Sequence, residues 1–225
     1  MAVRRPAFTP NLESENLVDL IQAIRSLLGT GSILFLGRPY SGKSRQTEIL
    51  EILLKLQVLD SGKVLRAMKA QLPAEAVAVQ EAGGLMPTEP FLDALIPLIL
   101  ELDREEGVIL CSVGKKSGEE SHVMKAAADG GHPIKAVVLI DVSRELALQR
   151  WGTDQNESSQ RNELRADDAA DKQGIRQDAF ETETQPVIDF WEAQGLLVRI
   201  NGDQDVQAVT DDIVNGLYKH LAQAA

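Results

Sequence analysis

Hydrophobic residues along the chain form short apolar runs that are separated by longer stretches with helical spacing. The short runs have the length of β-strands and lie at residues 33–36, 56–59, 108–112, 136–142 and 196–200. Between them, apolar residues recur every three or four positions, which predicts helices at 14–28, 44–55, 63–71, 90–105, 117–129, 143–151, 169–195 and 205–222. Runs that are apolar at nearly every position are typical of strands covered on both faces. The alternation predicts an α/β fold with a parallel five-stranded sheet between two layers of helices.

A glycine-rich segment, GRPYSGKSR (37–45), joins the first apolar run to the helix that follows it. Gly37 and Gly42 precede Lys43 and Ser44 with the spacing of a phosphate-binding loop. Glycines let backbone N–H groups converge on phosphate oxygens at the positive end of the next helix. The lysine adds charge, and the hydroxyl of Ser44 can reach a magnesium ion. Because a strand and a helix flank the loop in the required order, we predict a nucleotide phosphate site. The alternative is an exposed turn with an incidental lysine.

Composition and charge argue against several other classes of site. The chain has 225 residues, enough for one domain with a substantial core. Its net charge of -11, from 23 basic and 34 acidic residues, argues against an extended nucleic-acid surface. The one cysteine, Cys111, excludes an internal disulfide, and the histidines are too scattered to suggest a metal site. No apolar run has the length of a membrane span, and the first residues lack the core of a secretory signal. We therefore expect a cytoplasmic protein without membrane or nucleic-acid partners.

One polar segment, residues 151–174, is almost devoid of large apolar side chains. It carries Arg161 and Arg165, and Arg176 follows it, in a chain that is otherwise markedly acidic. Such a segment is either a disordered linker or a mobile flap that brings arginines onto phosphate. The arginines also have nearby aspartates with which they could form ordinary ion pairs, Asp178 among them.

Several motifs occur in the order in which adenylate kinases and related nucleoside monophosphate kinases have them. They are GRPYSGKSRQ (37–46), DSGKVLRAMK (60–69), EAGGLMPTE (81–89), RADD (165–168) followed by Arg176, TQPVIDFW (184–191) and LLVRINGD (196–203). From residue 32 to 222 the chain resembles the adenylate kinase family, in its short-lid form. The resemblance implies a P-loop kinase fold with an acceptor-binding segment at 60–90 and a short lid at 151–175, after an N-terminal tail and helix at 1–31. The lid has no cysteines, so no structural metal is implied.

The resemblance also implies a role for each matching residue. ATP would be bound by Gly37, Arg38, Pro39, Tyr40, Ser41, Gly42, Lys43, Ser44, Arg45, Arg150 and Gly202. The acceptor monophosphate would be bound by Ser61, Arg66, Gly84, Leu85, Met86, Lys115, Glu119, Arg165 and Arg176. Catalysis would depend on Lys43, Lys115, Arg165 and Arg176, with Mg²⁺ near Ser44. The implied reaction transfers the terminal phosphoryl group of ATP to AMP or a related monophosphate, in a monomer. Fixed cations in a closed site provide the alignment and charge neutralisation that phosphoryl transfer needs.

The segment VILCSVGKKSGEE (108–120) departs from the family pattern. Cys111 stands where the family has an aspartate that helps to orient hydrated magnesium, and Lys115 replaces an arginine. In the phosphate loop, Ser44 and Arg45 stand where the family favours glycine and threonine. Asp141, at the end of the neighbouring strand, is a candidate substitute for the lost carboxylate. These departures favour, as the alternative function, a catalytically weakened nucleotide-binding protein of the same fold.

Glu119 occupies the position at which the family has a glutamine that reads the acceptor base. A glutamine amide donates one hydrogen bond and accepts another, whereas a carboxylate only accepts. A carboxylate suits a base edge with two donors, such as that of guanine. The choice of acceptor is therefore open: the resemblance favours AMP, and the chemistry of the carboxylate favours GMP or another monophosphate. Alternatively Glu119 faces solvent, because the first turn of a helix favours acidic residues.

Overall fold

The computed structural model describes residues 15–161 and 169–224. A parallel sheet runs through the centre of this part of the chain, with the strand order β2-β3-β1-β4-β5. The strands are β1 (Ser32–Gly37), β2 (Gln57–Asp60), β3 (Val108–Cys111), β4 (Ile134–Asp141) and β5 (Leu197–Asn201). The predicted fold class is confirmed, and each strand lies within a few residues of its predicted position.

Helices connect the strands and cover both faces of the sheet. They are α1 (Glu15–Leu28), α2 (Lys43–Leu54), α3 (Ser61–Ala67), α4 (Ala74–Glu81), α5 (Thr88–Leu100), α6 (Glu120–Gly130), α7 (Arg144–Arg161), α8 (Ala170–Ala179), α9 (Gln185–Ala193) and α10 (Val206–Gln223). A short 3₁₀ turn (Lys69–Gln71) follows α3, and a π-helical turn (Phe180–Thr184) joins α8 to α9. None of the helices in the described ranges is both long and apolar enough to span a bilayer.

The helices differ from the prediction in four places, the first being α5, which ends at Leu100 and not at the predicted residue 105. Helix α4 was not predicted, because its apolar residues are small and only Ala76 among them is buried. Helix α7 continues to Arg161, so it extends into the polar segment beyond the predicted end at residue 151. The predicted helix 169–195 contains a π turn, in which Gln185 donates its N–H to the carbonyl of Phe180. Pro186 follows directly, and its missing N–H removes one α-helical hydrogen bond at this point.

The apolar core consists of two layers, one on each face of the sheet. Leu34 and Leu36 of β1 pack with helices α5, α6 and α9, whereas Ile33 and Phe35 pack with α1, α2 and α10. Successive side chains of a strand point to opposite faces, so a strand between two helical layers is apolar at every position. This explains the continuous hydrophobic run in β1. Helix α1, N-terminal to the region that resembles the family, contributes to the second layer through side chains that include Ile24.

The carboxyl ends of the strands meet at one edge of the sheet. Gly37, Asp60 and Cys111 end β1, β2 and β3, and Asp60 is the register partner of Cys111. The loops that leave these strands therefore converge, and ligands of open parallel sheets bind at this edge.

Candidate active site

The glycine-rich segment curls tightly between β1 and α2. Gly37 has a φ of 148°, and a Cβ atom there would lie 2.7 Å from the carbonyl oxygen of Ile140. Gly42 and Tyr40 have positive φ angles of 97° and 63°. No described side chain caps the start of α2, so its first N–H groups face the loop. An anion at this position would be stabilised by those N–H groups and by the helix dipole.

Lys43 extends its amino group back across the loop. Its Nζ donates to the carbonyl oxygens of Gly37 at 2.7 Å and Arg38 at 2.6 Å, and lies 3.4 Å from the hydroxyl of Ser41. Burial lowers the pKa of Lys43 to about 7, and the nearby cations Lys115 and Arg176 act in the same direction. An anion that binds beside this amino group would raise its pKa, because the anion favours the charged form.

Two arginines connect the phosphate loop to α8 and the π turn. The guanidinium of Arg38 pairs with Glu181 at 2.8 Å and lies 4.6 Å from the centre of the Phe180 ring. The guanidinium of Arg176 lies 5.6 Å from the centre of the Tyr40 ring, within the range of a cation–π contact. The side chain of Arg38 is therefore directed towards Glu181.

The π turn also holds the loop after β3 and the start of α7. The carbonyl of Glu183 accepts the N–H of Ser117 at 3.1 Å. Arg144 pairs with Glu181 at 3.2 Å and with Asp178 at 2.7 Å. Asp178 thus pairs with Arg144, although the sequence had also allowed a pair with one of the flap arginines. The π turn is the point at which the phosphate loop, the loop after β3 and α7 all make contact.

A cavity lies beside the phosphate loop, and seven of the nine predicted acceptor residues line it. These seven are Ser61, Gly84, Leu85, Met86, Lys115, Glu119 and Arg176. Pro39 of the phosphate loop forms part of the same wall, so the cavity adjoins the loop. Of the other two, Arg66 lies on α3 with its guanidinium beside Gly62, and Arg165 lies outside the described residues.

Sequence reasoning missed four side chains of the cavity wall, namely Leu65, Gln80, Phe91 and Lys116. Gln80 lies on α4, the helix that was not predicted, and Phe91 lies on the first turns of α5. The sequence signal for Gln80 and Phe91 was their proximity to the glycine turn at 83–84, whereas Leu65 and Lys116 directly adjoin the predicted residues Arg66 and Lys115. At that turn a Cβ atom on Gly83 would lie 2.9 Å from the carbonyl of Lys172, so α8 packs closely against it.

Glu119 is buried in the cavity wall, with 1% of its surface exposed. The alternative that it faces solvent is therefore wrong. Its Oε2 accepts a hydrogen bond from the N–H of Lys116 at 3.1 Å. Burial raises the pKa of Glu119 to about 7, against the opposite effects of that N–H and of the Lys115 and Lys116 charges.

The residues that could bind a metal ion lie around the last residue of β2 and the first turn of α2. Burial raises the pKa of Cys111 to about 11, so it remains a neutral thiol at neutral pH. The carboxylate of Asp60 caps α3 by accepting the N–H of Lys63 at 3.0 Å, and its charge acts on Lys43 and Cys111. Asp141 ends β4, which is separated from the Cys111 strand by β1 and is not its neighbour as predicted, and it forms an exposed pair with Arg199 at 2.7 Å. No cluster of three or more metal-ligating side chains occurs within the described ranges.

The two residues predicted beside the donor base do lie together. Arg150 on α7 donates to the carbonyl of Gly202 at 2.7 Å, and its other terminal nitrogen lies 3.4 Å from the carbonyl of Ser41. A Cβ atom on Gly202 would lie 2.5 Å from Val142, which explains the glycine. Ser44 and Arg45 lie in the first turn of α2, where Ser44 is exposed.

Comparison with known proteins identifies the family, although no protein-family model matches the chain. An adenylate kinase of Stenotrophomonas maltophilia is 31% identical over 173 residues, covering 76% of this chain and 90% of the relative. An adenylate kinase of Deinococcus deserti is 30% identical over 189 residues, with coverage of 82% and 95%. An adenylate kinase of Desulforamulus reducens is 28% identical over 208 residues, with coverage of 81% and 98%. The chain therefore belongs to the adenylate kinase family of nucleoside monophosphate kinases, which are phosphotransferase enzymes.

Proposed function

We propose that this enzyme transfers the terminal phosphoryl group of ATP to AMP or a closely related nucleoside monophosphate. The observation that carries this proposal is the junction between the phosphate loop and the acceptor cavity. Pro39 of the loop forms part of the cavity wall, and Arg176 lines the cavity while its guanidinium lies over Tyr40 of the loop. Two nucleotides bound on either side of this junction would meet end to end at their phosphates.

The donor site would hold the phosphates of ATP at the start of α2. Lys43 would exchange its contacts with the Gly37 and Arg38 carbonyls for phosphate oxygens. The pair formed by Arg150 and the Gly202 turn would lie against the donor base. Preorganised N–H groups and a desolvated cation stabilise charge more effectively than the same groups in water.

The acceptor site would place its monophosphate between cations at the cavity end nearest the loop. Lys115 and Arg176 line the cavity, and burial lowers the pKa of Lys115 in the same sense as that of Lys43. Arg66 would add a second guanidinium from α3. We propose that the segment 151–175 acts as a short lid and that Arg165, which lies outside the described residues, reaches the phosphates when the lid closes. Arginine suits this role because its planar fork makes two hydrogen bonds to one phosphate.

The residues around α2 fit a magnesium ion bound together with ATP. Mg²⁺ is usually held by substrate phosphates, waters and one or two protein oxygens, and it does not need a cage of several carboxylates. The exposed hydroxyl of Ser44 and the carboxylate of Asp60 would hold it or its waters. When bound, the ion neutralises charge on the transferring phosphoryl group.

The test of this function is turnover with ATP against a panel of monophosphates that includes AMP, GMP, CMP and UMP. Lys43→Met should abolish most of the turnover, whereas Lys125→Met, which breaks an exposed pair with Asp129 on α6, should leave it unchanged. A folded protein that binds ATP but converts none of these acceptors would reject the proposal. Hydrolysis of ATP in excess of transfer at saturating monophosphate would favour water as the acceptor.

A weaker enzyme of the same fold is the second candidate, because of Cys111 and Lys115. The neutral thiol of Cys111 supplies no charge for magnesium. The ammonium group of Lys115 cannot make the two parallel hydrogen bonds to one phosphate that a guanidinium makes. This candidate predicts nucleotide binding with slow phosphoryl transfer, whereas brisk turnover by the unaltered protein would reject it. For either candidate we propose a cytoplasmic location, since nucleoside triphosphates are held inside cells, and a monomer, as the resemblance to the family implies.

A further inference from the structure

We propose that Glu119 selects the acceptor base according to whether its carboxyl group is ionised or protonated. This inference rests on the proposed function, because it assigns the cavity to the acceptor nucleotide. An ionised Glu119 would hold a base edge with two N–H donors, as in guanine. A protonated Glu119 would hold an edge with one donor and one acceptor, as in adenine.

The position of Glu119 allows it to contact a base bound in the cavity. Its side chain is 1% exposed and lines the cavity together with Leu85, Met86 and Phe91, which suit the flat apolar faces of a base. The backbone of Glu119 is also fixed, because its N–H donates to the carbonyl of Lys116 at 3.0 Å and its carbonyl accepts the N–H of Val123 at 3.0 Å. The carboxyl group is therefore presented by a rigid turn at the start of α6.

The contact with Lys116 determines which oxygen can carry a proton. Because the N–H of Lys116 donates to Oε2, a proton on the carboxyl group is placed on Oε1. Within the described part of the chain, Oε1 has no hydrogen-bond partner of its own. The protonated side chain would then present an O–H group beside an accepting oxygen, which matches N1 and the amino group of adenine. The ionised side chain would present two accepting oxygens, which match N1–H and the amino group of guanine.

The charges that face Glu119 are balanced closely enough for both forms to exist near neutral pH. Lys115 and Lys116, in the loop before α6, favour the ionised form, and Glu120 on α6 favours the protonated form. Arg176 on α8 faces the same cavity, while the lining residues contributed by α4 and α5, Gln80 and Phe91, carry no charge. Burial favours the protonated form and raises the pKa to about 7.

A mismatch between the carboxyl group and the base would be costly. In a closed cavity a mismatched base leaves a buried polar atom without a partner, and sites built around such hydrogen bonds discriminate strongly. The structure therefore predicts that the preference between AMP and GMP changes with pH, with AMP favoured below neutrality and GMP above it.

The experiment is calorimetric binding of AMP and of GMP to the full chain at pH 6, 7 and 8. From pH 6 to pH 8 the affinity for AMP should fall about tenfold and that for GMP rise about tenfold, so their ratio changes about 100-fold. Taking the ratio cancels the ionisation of the phosphate and of the lysines, which both ligands share. Titrations in buffers with different ionisation heats should show that the AMP complex holds about one proton more than the GMP complex.

Two variants separate base reading from a structural role. Glu119→Gln carries a fixed donor and a fixed acceptor, so it should favour AMP at every pH and lose the proton difference. Glu89→Gln removes an exposed carboxylate near Phe91 but outside the cavity wall, and it should retain the wild-type pH dependence.

The outcomes distinguish this inference from the proposed function. The role of Glu119 would be overturned, even if turnover is observed, by two results together in the unaltered protein. The ratio of the AMP and GMP affinities would not change with pH, and the two complexes would hold the same number of protons. A pH-dependent ratio without turnover would support the role of Glu119 and reject the transfer reaction. Failure of both nucleotides to bind would reject both. The wild-type measurement needs no substitution, so an unstable variant does not affect it.

Discussion

Lys43 provides the sharpest test of the electrostatics of the donor site, because its charge should change when ATP binds. Burial holds the pKa of Lys43 at about 7, so at pH 8.5 the amino group is mostly neutral. The triphosphate of ATP would bring several negative charges to the same amino group and favour its charged form. The pKa in the complex should therefore lie well above 8.5, and binding should take up a proton.

The number of protons taken up follows from the pKa of Lys43 in the free protein and its pKa in the complex. A group that is about 3% protonated when free and fully protonated when bound takes up about one proton per ATP at pH 8.5. By the same linkage, the affinity for ATP should fall about tenfold for each pH unit above 7, until the pKa of the complex is reached. Below pH 7 the free amino group is already charged, so both the uptake and the pH dependence should disappear.

The assay is calorimetric titration with ATP in two buffers whose ionisation heats differ, at pH 6.5, 7.5 and 8.5. Lys43→Met removes the titrating group and should abolish the uptake at pH 8.5, although it binds ATP more weakly at pH 6.5. The pKa of Lys115 is lowered as well, but Lys115 faces the acceptor cavity, so a triphosphate at the loop acts on it less than on Lys43. Equal proton uptake by the variant and the unaltered protein would refute the assignment to Lys43. No uptake at pH 8.5 in the unaltered protein would refute the depressed pKa itself.

Three further predictions concern the loop, the metal and the departures from the family. Tyr40→Gly should be more stable to urea than Tyr40→Ala by about 1 kcal/mol, because only glycine adopts the positive φ without strain; equal stabilities would exclude strain at this position. Asp60→Asn should keep the cap of α3 but raise the Mn²⁺ concentration needed for metal binding with ATP by about tenfold, measured by electron paramagnetic resonance; an unchanged metal affinity would remove Asp60 from the metal site. Combining Cys111→Asp with Lys115→Arg should raise kcat about tenfold if the natural residues limit transfer. The control is Cys111→Ser, which introduces no charge, and no gain in the double variant would reject the weaker-enzyme candidate.

The sheet and the phosphate loop could be predicted from sequence because their signals are local. Continuous apolar runs identify strands that are covered on both faces, and the glycine-lysine pattern sits between one such strand and a helix. The register that places Asp60 beside Cys111 follows from these strands only once their order in the sheet is known. The sequence alone gave no basis for that order.

The parts of the site that could not be predicted depend on contacts between distant segments. Glu119 is buried in a cavity wall that it shares with Gln80 of α4 and Phe91 of α5, and α4 had no apolar stripe by which to recognise it. The direction of the Arg38 side chain depends on Glu181, which lies 143 residues later in the chain. The π turn that carries Glu181 is followed directly by Pro186, and a proline in a helical pattern does not by itself predict a π turn before it.

The joining of several loops at the π turn limits how freely parts could be exchanged with relatives. A transplanted phosphate loop without an arginine at position 38 would remove one of the two partners of Glu181, and Arg144 alone would then face the carboxylates of Glu181 and Asp178. Conversely, a transplanted helix α8 would leave the guanidinium of Arg38 without its carboxylate. Chimeras should therefore be more stable when residues 37–45 and 177–183 come from the same parent, and the two segments are best treated in protein engineering as one inherited unit.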